Sequence, residues 1–351
     1  MTPETTDPGE APRIAATAGP AVAPAAPRPI ALFAPAASAA FGAAVATALG
    51  RALTPHEERE FGGGEHKMRP LESVRGRAVV VIQSLHGDAD GSANDRLCRL
   101  LFFVATARDA GAASVTACIP YLAYARKDRR TKARDPVTSR YVAQLLESVG
   151  TTRVVALEVH NRAAFENAFR IPTVHLEAAD LLAAACAGGQ SAPLAVASPD
   201  VGGVKRARHF QELLERVHGA AVAFAFVDKH RSGGIVSGDT LVGDVAGRRV
   251  ILVDDLIESG TTILRAVAAC RRAGAARVEA VATHAPLAGD ARRLFADGGP
   301  DSVIVTDSVA LAPDFAAMPA GALRICPIAP RFAEAIRRLE GAGPLSALDG
   351  L

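Results

Sequence analysis

Two adjacent carboxylates end an apolar run in the second half of the chain. Asp254 and Asp255 follow residues 250–253, a β-branched run typical of a strand that is covered on both faces. A helix is predicted at 263–272, and its first N–H groups attract anions because they have no partner inside the helix. Four small residues precede it: Ser259, Gly260, Thr261 and Thr262. Acids that accept bonds from sugar hydroxyls, beside a loop that grips phosphate, predict a sugar-phosphate site. An ordinary strand-to-helix turn is the alternative.

A dense run of positive charge follows another predicted strand. Six of the nine residues 126–134 are Arg or Lys, shortly after a strand predicted at 114–119. Loops at the carboxyl ends of parallel strands commonly bind ligands, and Arg and Lys together fit a polyphosphate. The run therefore predicts a polyphosphate site. A solvated charge run or a nuclear-localisation-like patch is the alternative.

A histidine and an aspartate each stand at the tip of a predicted strand. His160 follows residues 153–159, and Asp200 follows residues 194–197. If the two strand tips are adjacent, these side chains can hold a divalent cation, and Mg²⁺ carried by a nucleotide fits them best. A strand-tip histidine is otherwise a local hydrogen-bonding group.

A short cationic segment follows the strand predicted at 222–227. Lys229 and Arg231 are separated by one residue and are followed by Gly233 and Gly234. Cations beside flexible glycines suit a mobile flap that closes over a site. A basic surface hairpin is the alternative.

The elements that position these residues occur twice. Gly111 and Gly274 end two similar helices 163 residues apart, and each copy runs strand, loop, helix, glycine, strand. The repeat predicts two similar α/β domains that arose by duplication. Because the first copy has Gln83 and Ser84 in place of the acid pair, only the second copy keeps the sugar-phosphate loop.

The composition narrows the class of protein. The 351 residues are enough for two cores, and a net charge of +2 argues against a general nucleic-acid binder. Five scattered cysteines without a CxxC pair, and no apolar run of the ~18 residues that a membrane helix needs, predict a cytoplasmic protein outside the membrane. Residues 1–28 are rich in Ala, Pro and Thr and are predicted to be a disordered extension.

Six motifs stand in one order along the chain. They are Phe-x-x-Gly-Glu at 61–65, Tyr-Ala-Arg-Lys-Asp-Arg at 124–129, the histidine at 160, Ser-Pro-Asp-Val-Gly-Gly at 198–203, Asp-Lys-His-Arg at 228–231 and Val-Asp-Asp-Leu-Ile-Glu-Ser-Gly-Thr-Thr at 253–262. In this order the chain resembles the ribose-phosphate pyrophosphokinase (phosphoribosyl pyrophosphate synthetase) family from about residue 30 to residue 339.

The resemblance implies a fold and an activity. The fold is α/β, with two tandem type I phosphoribosyltransferase-like domains, each a mostly parallel sheet flanked by helices. The expected domains are 29–178, completed by a C-terminal helix at 329–351, and 179–328. The expected reaction transfers the diphosphoryl group of ATP to the 1-hydroxyl of ribose 5-phosphate, giving 5-phosphoribosyl 1-diphosphate (PRPP) and AMP. Mg²⁺ and a homo-oligomer, hexameric or built from dimers, are also implied.

The resemblance also implies roles for single residues. The ribose 5-phosphate site would contain Asp254, Asp255, Glu258, Ser259, Gly260, Thr261 and Thr262. The ATP site would contain Arg126, Lys127, Asp128 and Arg129, together with Phe61, Gly63 and Glu65 from a neighbouring subunit. His160 and Asp200 would ligate the metal. The catalytic cations would be Lys229 and Arg231.

The chain departs from the family pattern at several site positions. Gly63 stands where the family commonly has Asp, Lys127 where many members have Gln, and Glu258 and Ser259 where the pattern is Asp-Thr. Three other readings stay open: a phosphoribosyltransferase that consumes PRPP, a non-catalytic regulatory homologue, and nucleic-acid binding. The first needs only one such domain, and the last needs a wider basic surface.

Overall fold

The computed structural model describes residues 29–188, 193–232 and 235–342, without the side chains of 229–239 and 342. The predicted disordered extension at 1–28 and the end of the predicted C-terminal helix, 343–351, lie outside these residues. The first half contains β1 (Ile30–Phe33), α1 (Ala39–Leu49), β2 (His56–Glu60), β3 (His66–Pro70), β4 (Ala78–Ile82), α2 (Ala93–Asp109), β5 (Ser114–Ile119), α3 (Thr138–Ser148), β6 (Arg153–Leu157), α4 (Arg162–Ala168) and β7 (Thr173–Leu176).

The second half follows the same alternation of strands and helices. It contains α5 (Ala179–Ala187), β8 (Leu194–Ser198), α6 (Val204–His218), β9 (Ala223–Ser232), β10 (Ile235–Val242), β11 (Arg249–Leu256), α7 (Thr261–Arg272), β12 (Arg277–His284), β13 (Ser302–Thr306), α8 (Pro313–Ala316), β14 (Leu323–Cys326) and α9 (Ala329–Arg337). The elements whose starts were predicted, such as β5, β6, β8, β9, β11 and α7, begin within two residues of them.

The two halves share one strand topology, as the repeat predicted. The first sheet has the order β1-β4-β5-β6-β7 and is parallel throughout. The second has the order β10-β9-β8-β11-β12-β13-β14, in which β8 and β11–β14 repeat the first sheet strand for strand. Apolar runs such as those of β4 and β11 form inner strands because helices cover both faces of each sheet.

Each half inserts a hairpin between its first two sheet strands. In the first half, β2 and β3 pair with each other as a separate two-stranded sheet. In the second half, β9 joins the main sheet beside β8, and β10 pairs with β9 as an antiparallel edge. The backbone at Lys229 and Arg231 therefore lies in a strand of this hairpin and not in the flexible loop that the resemblance implied.

The two sheets share a hydrophobic core along the helices between them. The ring of Phe41 in α1 contacts the ring of Phe332 in α9 edge to face, at 5.5 Å between centroids. The Arg331 guanidinium of α9 binds the Asp180 carboxylate of α5 through two N–H···O bonds of 2.8 and 2.5 Å. The chain thus returns from its second half to pack against its first helix, while the exact domain boundaries stay a prediction.

All five cysteines are free, with Cys98 exposed and the other four buried. Within the described part of the chain, every helix is too short or too polar to cross a membrane.

Candidate active site

One open cavity of about 380 Å³ lies at the carboxyl edges of the two sheets. Eleven of the predicted site residues line it: Arg126, Arg129, His160, Asp200, Asp254, Asp255, Glu258, Ser259, Gly260, Thr261 and Thr262. Both halves contribute, because Arg126, Arg129 and His160 come from the first half and the others from the second. The carboxyl edge of a parallel sheet is where such folds commonly bind ligands.

The acid pair lies at the end of β11 and is held by an arginine that the sequence analysis missed. Nη1 of Arg206 lies 3.5 Å from Oδ1 of Asp254, and its Nη2 lies 3.2 Å from Oδ2 of Asp255. Arg206 sits in the first turn of α6, six residues after Asp200, so the arginine after the double glycine was the available signal.

The two acids have opposite pKa shifts. Burial and the neighbouring charge of Asp255 raise the pKa of Asp254 above its ordinary value. Burial alone would raise the pKa of Asp255 as well, but a hydrogen bond from His160 and the charge of Arg206 hold it below its usual range. The pair therefore presents one carboxylate that stays ionised and one that binds a proton more readily.

His160 reaches a partner different from the one the sequence suggested. Its Nδ1 lies 2.7 Å from Oδ2 of Asp255, whereas Asp200 accepts a 3.1 Å bond from the backbone N–H of Gly203 through Oδ1. His160 and Asp200 border the same cavity, an adjacency that the sequence left open, and each also has a hydrogen-bonding role within the protein.

The predicted phosphate loop has the backbone that the sequence indicated. Gly260 has φ +74° and precedes α7, which begins at Thr261, two residues before the predicted start. A Cβ at Gly260 would lie 2.6 Å from the Leu294 side chain, so both its conformation and its surroundings require glycine. Gly260 has no side chain with which to cap this helix end, and the first turn of α7 borders the cavity.

The basic run divides into two sets. Arg126 and Arg129 line the cavity. Nζ of Lys127 instead donates a 2.7 Å bond to Oδ2 of Asp135, and Asp128 accepts a 2.6 Å bond from Asn161. The extra charge that Lys127 brings is therefore neutralised within the loop and does not line the cavity.

Asp135 organises this loop, and the sequence analysis did not single it out. Its Oδ2 also accepts bonds from the backbone N–H groups of Thr131 and Lys132 and from the Thr131 hydroxyl. The bond from Lys127, followed by these bonds, lowers the pKa of Asp135 well below its usual range. The sequence signal for this role was an acid that directly follows the basic run.

Glu258 connects the two halves across the cavity mouth. Its Oε2 lies 3.3 Å from Nη1 of Arg126, and both side chains are largely exposed. An exposed ion pair contributes little stability. Arg126 can therefore leave Glu258 for a ligand at small cost.

Of the remaining predicted site residues, three lie away from the cavity, and the side chains of the other two are outside the part of the chain that the structure describes. Phe61, Gly63 and Glu65 are exposed at the turn of the β2–β3 hairpin and do not line the cavity. The Arg59 guanidinium lies over the Phe61 ring, 5.1 Å from its centroid. The side chains of Lys229 and Arg231 fall outside the described residues.

Comparison with known proteins places the chain in a family. Residues 30–150 match the model of the N-terminal domain of ribose phosphate pyrophosphokinase, and residues 234–348 match that of the phosphoribosyl synthetase-associated domain. The ribose-phosphate pyrophosphokinase of Pasteurella multocida is 37% identical over 292 residues, which cover 82% of this chain and 89% of the relative. That of Caldanaerobacter subterraneus is 36% identical over 298 residues, covering 84% and 90%.

A solved structure agrees with these relatives. The phosphoribosylpyrophosphate synthetase of Mycobacterium smegmatis superposes with a TM-score of 0.80 at 33% identity, over 90% of this chain and 100% of that one. The α/β fold with two sheets that the sequence predicted is confirmed. The chain belongs to the ribose-phosphate pyrophosphokinase family.

Proposed function

We propose that this chain transfers the diphosphoryl group of ATP to the 1-hydroxyl of ribose 5-phosphate, giving PRPP and AMP. The observation that carries this proposal is the shared cavity. A sugar-phosphate loop of the second half faces basic residues of the first half across about 380 Å³. Such a cavity suits two phosphorylated substrates bound face to face.

The acceptor lies on the side of the second half. The first turn of α7, with Ser259, Thr261 and Thr262, binds the 5-phosphate, because the N–H groups at a helix N-terminus and the hydroxyls there can donate to an anion. The acid pair accepts bonds from the ribose hydroxyls. Asp255, held ionised by His160 and Arg206, is the stronger acceptor.

The donor lies on the side of the first half. Arg126 and Arg129 neutralise the polyphosphate. The 1-hydroxyl oxygen gives up its proton to solvent and bonds to the β-phosphorus while the bond from that phosphorus to the α,β-bridging oxygen breaks. AMP leaves with the bridging oxygen. Transfer of this kind depends on positioning and charge neutralisation, which Lys229 and Arg231 on the β9–β10 hairpin complete.

The site fits Mg²⁺ that arrives with the nucleotide. Within the described residues, no group of three or more His, Cys, Asp or Glu is arranged to hold a metal ion. Mg²⁺ rarely needs such a cage, because it keeps several waters and binds one or two carboxylates together with substrate phosphates. His160 and Asp200 on the cavity wall would hold it, and the ion would offset negative charge on the phosphates.

The adenine contacts and the assembly are part of the same proposal. Phe61, Gly63 and Glu65 are exposed on a hairpin outside the cavity, which supports their action on a neighbouring subunit. Because Gly63 replaces an acid of the family pattern, selectivity for adenine is the feature most open to change.

An AMP-release assay with ATP, Mg²⁺ and ribose 5-phosphate tests the proposal. A phosphoribosyltransferase that consumes PRPP releases no AMP from this mixture, and a non-catalytic homologue gives no turnover. Lys229→Ala should lower kcat about 10²–10³-fold, by analogy with the loss of one transition-state donor. Lys205→Ala, an exposed lysine outside the cavity, is the control. Running other nucleoside triphosphates in the same assay measures the effect of Gly63.

A further inference from the structure

A second cleft opens at the amino edge of the second sheet, at the opposite end of the strand that carries the acid pair. It has a volume of about 230 Å³. Its walls are the first residues of β11, β12 and β13, the C-terminal end of α5 and the side chain of Arg324 in β14. None of the residues that line the catalytic cavity contributes to it.

The cleft carries an excess of positive charge. Three arginines line it, Arg249, Arg277 and Arg324, and Glu279 is the one acid among the described lining residues. The balance is a net charge of +2. Arg249 is 6% exposed and Glu279 is 4% exposed, whereas Arg277 is partly exposed and Arg324 is exposed, so the excess charge lies at the open side of the cleft.

Both carboxylate oxygens of Glu279 accept hydrogen bonds from two of the arginines. Its Oε2 accepts bonds of 3.1 and 2.6 Å from Nε and Nη2 of Arg249, and its Oε1 accepts a 2.8 Å bond from Nε of Arg277. Arg249 and Arg277 are also direct neighbours in the β11–β12 register. A single carboxylate therefore holds together two cations that repel each other.

Several guanidinium N–H groups remain available. Within the described part of the chain, neither Nη of Arg277 has a hydrogen-bond partner, and Arg324 uses only Nη2, which donates to the carbonyl of Ala185. Arg249 pairs with Glu279 and caps the C-terminal end of α5, and one N–H group of Arg324 caps the same helix. These contacts leave the planar fork of Arg277 and the excess charge without a structural role.

We propose that this cleft binds a compact phosphate dianion, either free orthophosphate or the phosphate group of a small monoester. A charge near −2 matches the +2 of the cleft, and a guanidinium fork binds phosphate through two parallel N–H···O bonds. The Ser302 residue on the same wall adds a hydroxyl donor. This site is additional to the catalytic cavity and does not depend on the proposed reaction.

Equilibrium dialysis of the full chain with labelled orthophosphate tests the proposal. We expect two bound ions per chain, one in the ribose-phosphate loop and one in the cleft. Arg277→Ala and Arg324→Ala should each weaken one class at least tenfold and leave the other unchanged. Arg272→Ala, which removes an exposed charge from α7 outside both cavities, should retain both classes.

Two further measurements make the result decisive. A Thr261→Ala/Thr262→Ala variant should lose the catalytic class and keep the cleft class. Glycerol 3-phosphate should displace the cleft ion if the site accepts monoesters, and fail to do so if it takes only free phosphate. A single class in the wild type, abolished by the Thr261/Thr262 variant, would overturn the proposal, as would arginine variants that bind two ions with unchanged affinity.

Discussion

Nδ1 of His160 and Oδ2 of Asp255 lie 2.7 Å apart, so a strand tip of the first half is hydrogen-bonded to the acid pair of the second. Arg206 approaches the same oxygen within 3.2 Å from a third direction. Asp255 is therefore oriented by both halves of the molecule.

The first prediction concerns Arg206. Arg206→Met should raise KM for ribose 5-phosphate about tenfold or more, because the two acids lose the cation that offsets their mutual repulsion and keeps Asp255 ionised. KM for ATP should change much less. Losing one charge-assisted contact costs about 1.5–3 kcal/mol of binding free energy, which corresponds to a tenfold or larger increase in KM. Steady-state kinetics with each substrate varied in turn provide the measurement.

Lys205→Met is the matched control for Arg206. It removes one positive charge from the neighbouring position of α6, which is exposed and outside the cavity. We expect wild-type kinetics from it. Equal increases in both KM values for Arg206→Met would show that the arginine supports the fold of the whole site and does not position the acid pair.

The second prediction concerns the basic loop. Asp135→Asn should raise KM for ATP and lower the protection of residues 127–135 from proteolysis, because four donors lose a charged acceptor. Lys127→Gln should be tolerated, since the amine serves Asp135 and does not line the cavity. A large loss of ATP affinity in Lys127→Gln, with little effect of Asp135→Asn, would assign Lys127 directly to the nucleotide.

The sequence predicted most of the strand ends because their signals are local. The apolar run before Asp254, the helix after Gly260 and the repeat around Gly111 and Gly274 each depend on a few neighbouring residues. Parallel-sheet topology brings the strand tips of each sheet to one edge, and the packing of the two sheets then sets His160 in one cavity with Asp200 and the acid pair.

The sequence could not predict contacts between residues that lie far apart in the chain, because these contacts depend on how distant segments pack. The bond from His160 to Asp255 spans 95 residues, and its choice over Asp200 depends on how the two sheets meet. Arg206 was missed for the same reason. Asp135 was missed although its partners lie within the same loop, since charge alone does not reveal which amine a carboxylate will reach. The cationic flap was expected as a loop, but pairing with β10 extends β9 through it.

The third prediction separates backbone strain from steric contact at the phosphate loop. Gly260 and Gly219 both have φ +74°, but a Cβ at Gly260 would lie 2.6 Å from the Leu294 side chain, whereas a Cβ at Gly219 meets nothing within 4 Å. Gly219→Ala should cost about 1–2 kcal/mol of unfolding free energy, the usual penalty of a left-handed conformation. Gly260→Ala should cost more and also weaken binding of ribose 5-phosphate.

Denaturant unfolding of the two glycine variants, with ribose 5-phosphate binding measured alongside, checks this difference. Leu294→Ala should recover part of the loss when it is combined with Gly260→Ala, because it removes the atoms that the new Cβ meets. Equal destabilisation by the two glycine variants would show that Leu294 moves aside without cost.

The fourth prediction is a pH dependence of stability from His284 at the end of β12. Its Nε2 lies 3.2 and 3.3 Å from the carbonyl oxygens of Leu157 and Glu158 in the other half, and its Nδ1 lies 2.9 Å from the Ser308 hydroxyl. Since carbonyls only accept, Nε2 carries the proton and Nδ1 accepts from Ser308. Burial lowers the pKa of His284 to about 4, so the native state holds the neutral ring.

The sign of the effect follows from proton binding. Between about pH 6.5, the ordinary pKa of an unfolded histidine, and about pH 4, the unfolded chain binds a proton at His284 that the folded chain does not, so the unfolding free energy falls as the pH falls. His284→Gln removes this dependence. The stability advantage of the wild type over the variant should therefore shrink by roughly 2–3 kcal/mol between pH 7.5 and pH 4.5, as measured by urea unfolding. A stability difference between the wild type and His284→Gln that stays constant over this pH range would contradict the prediction.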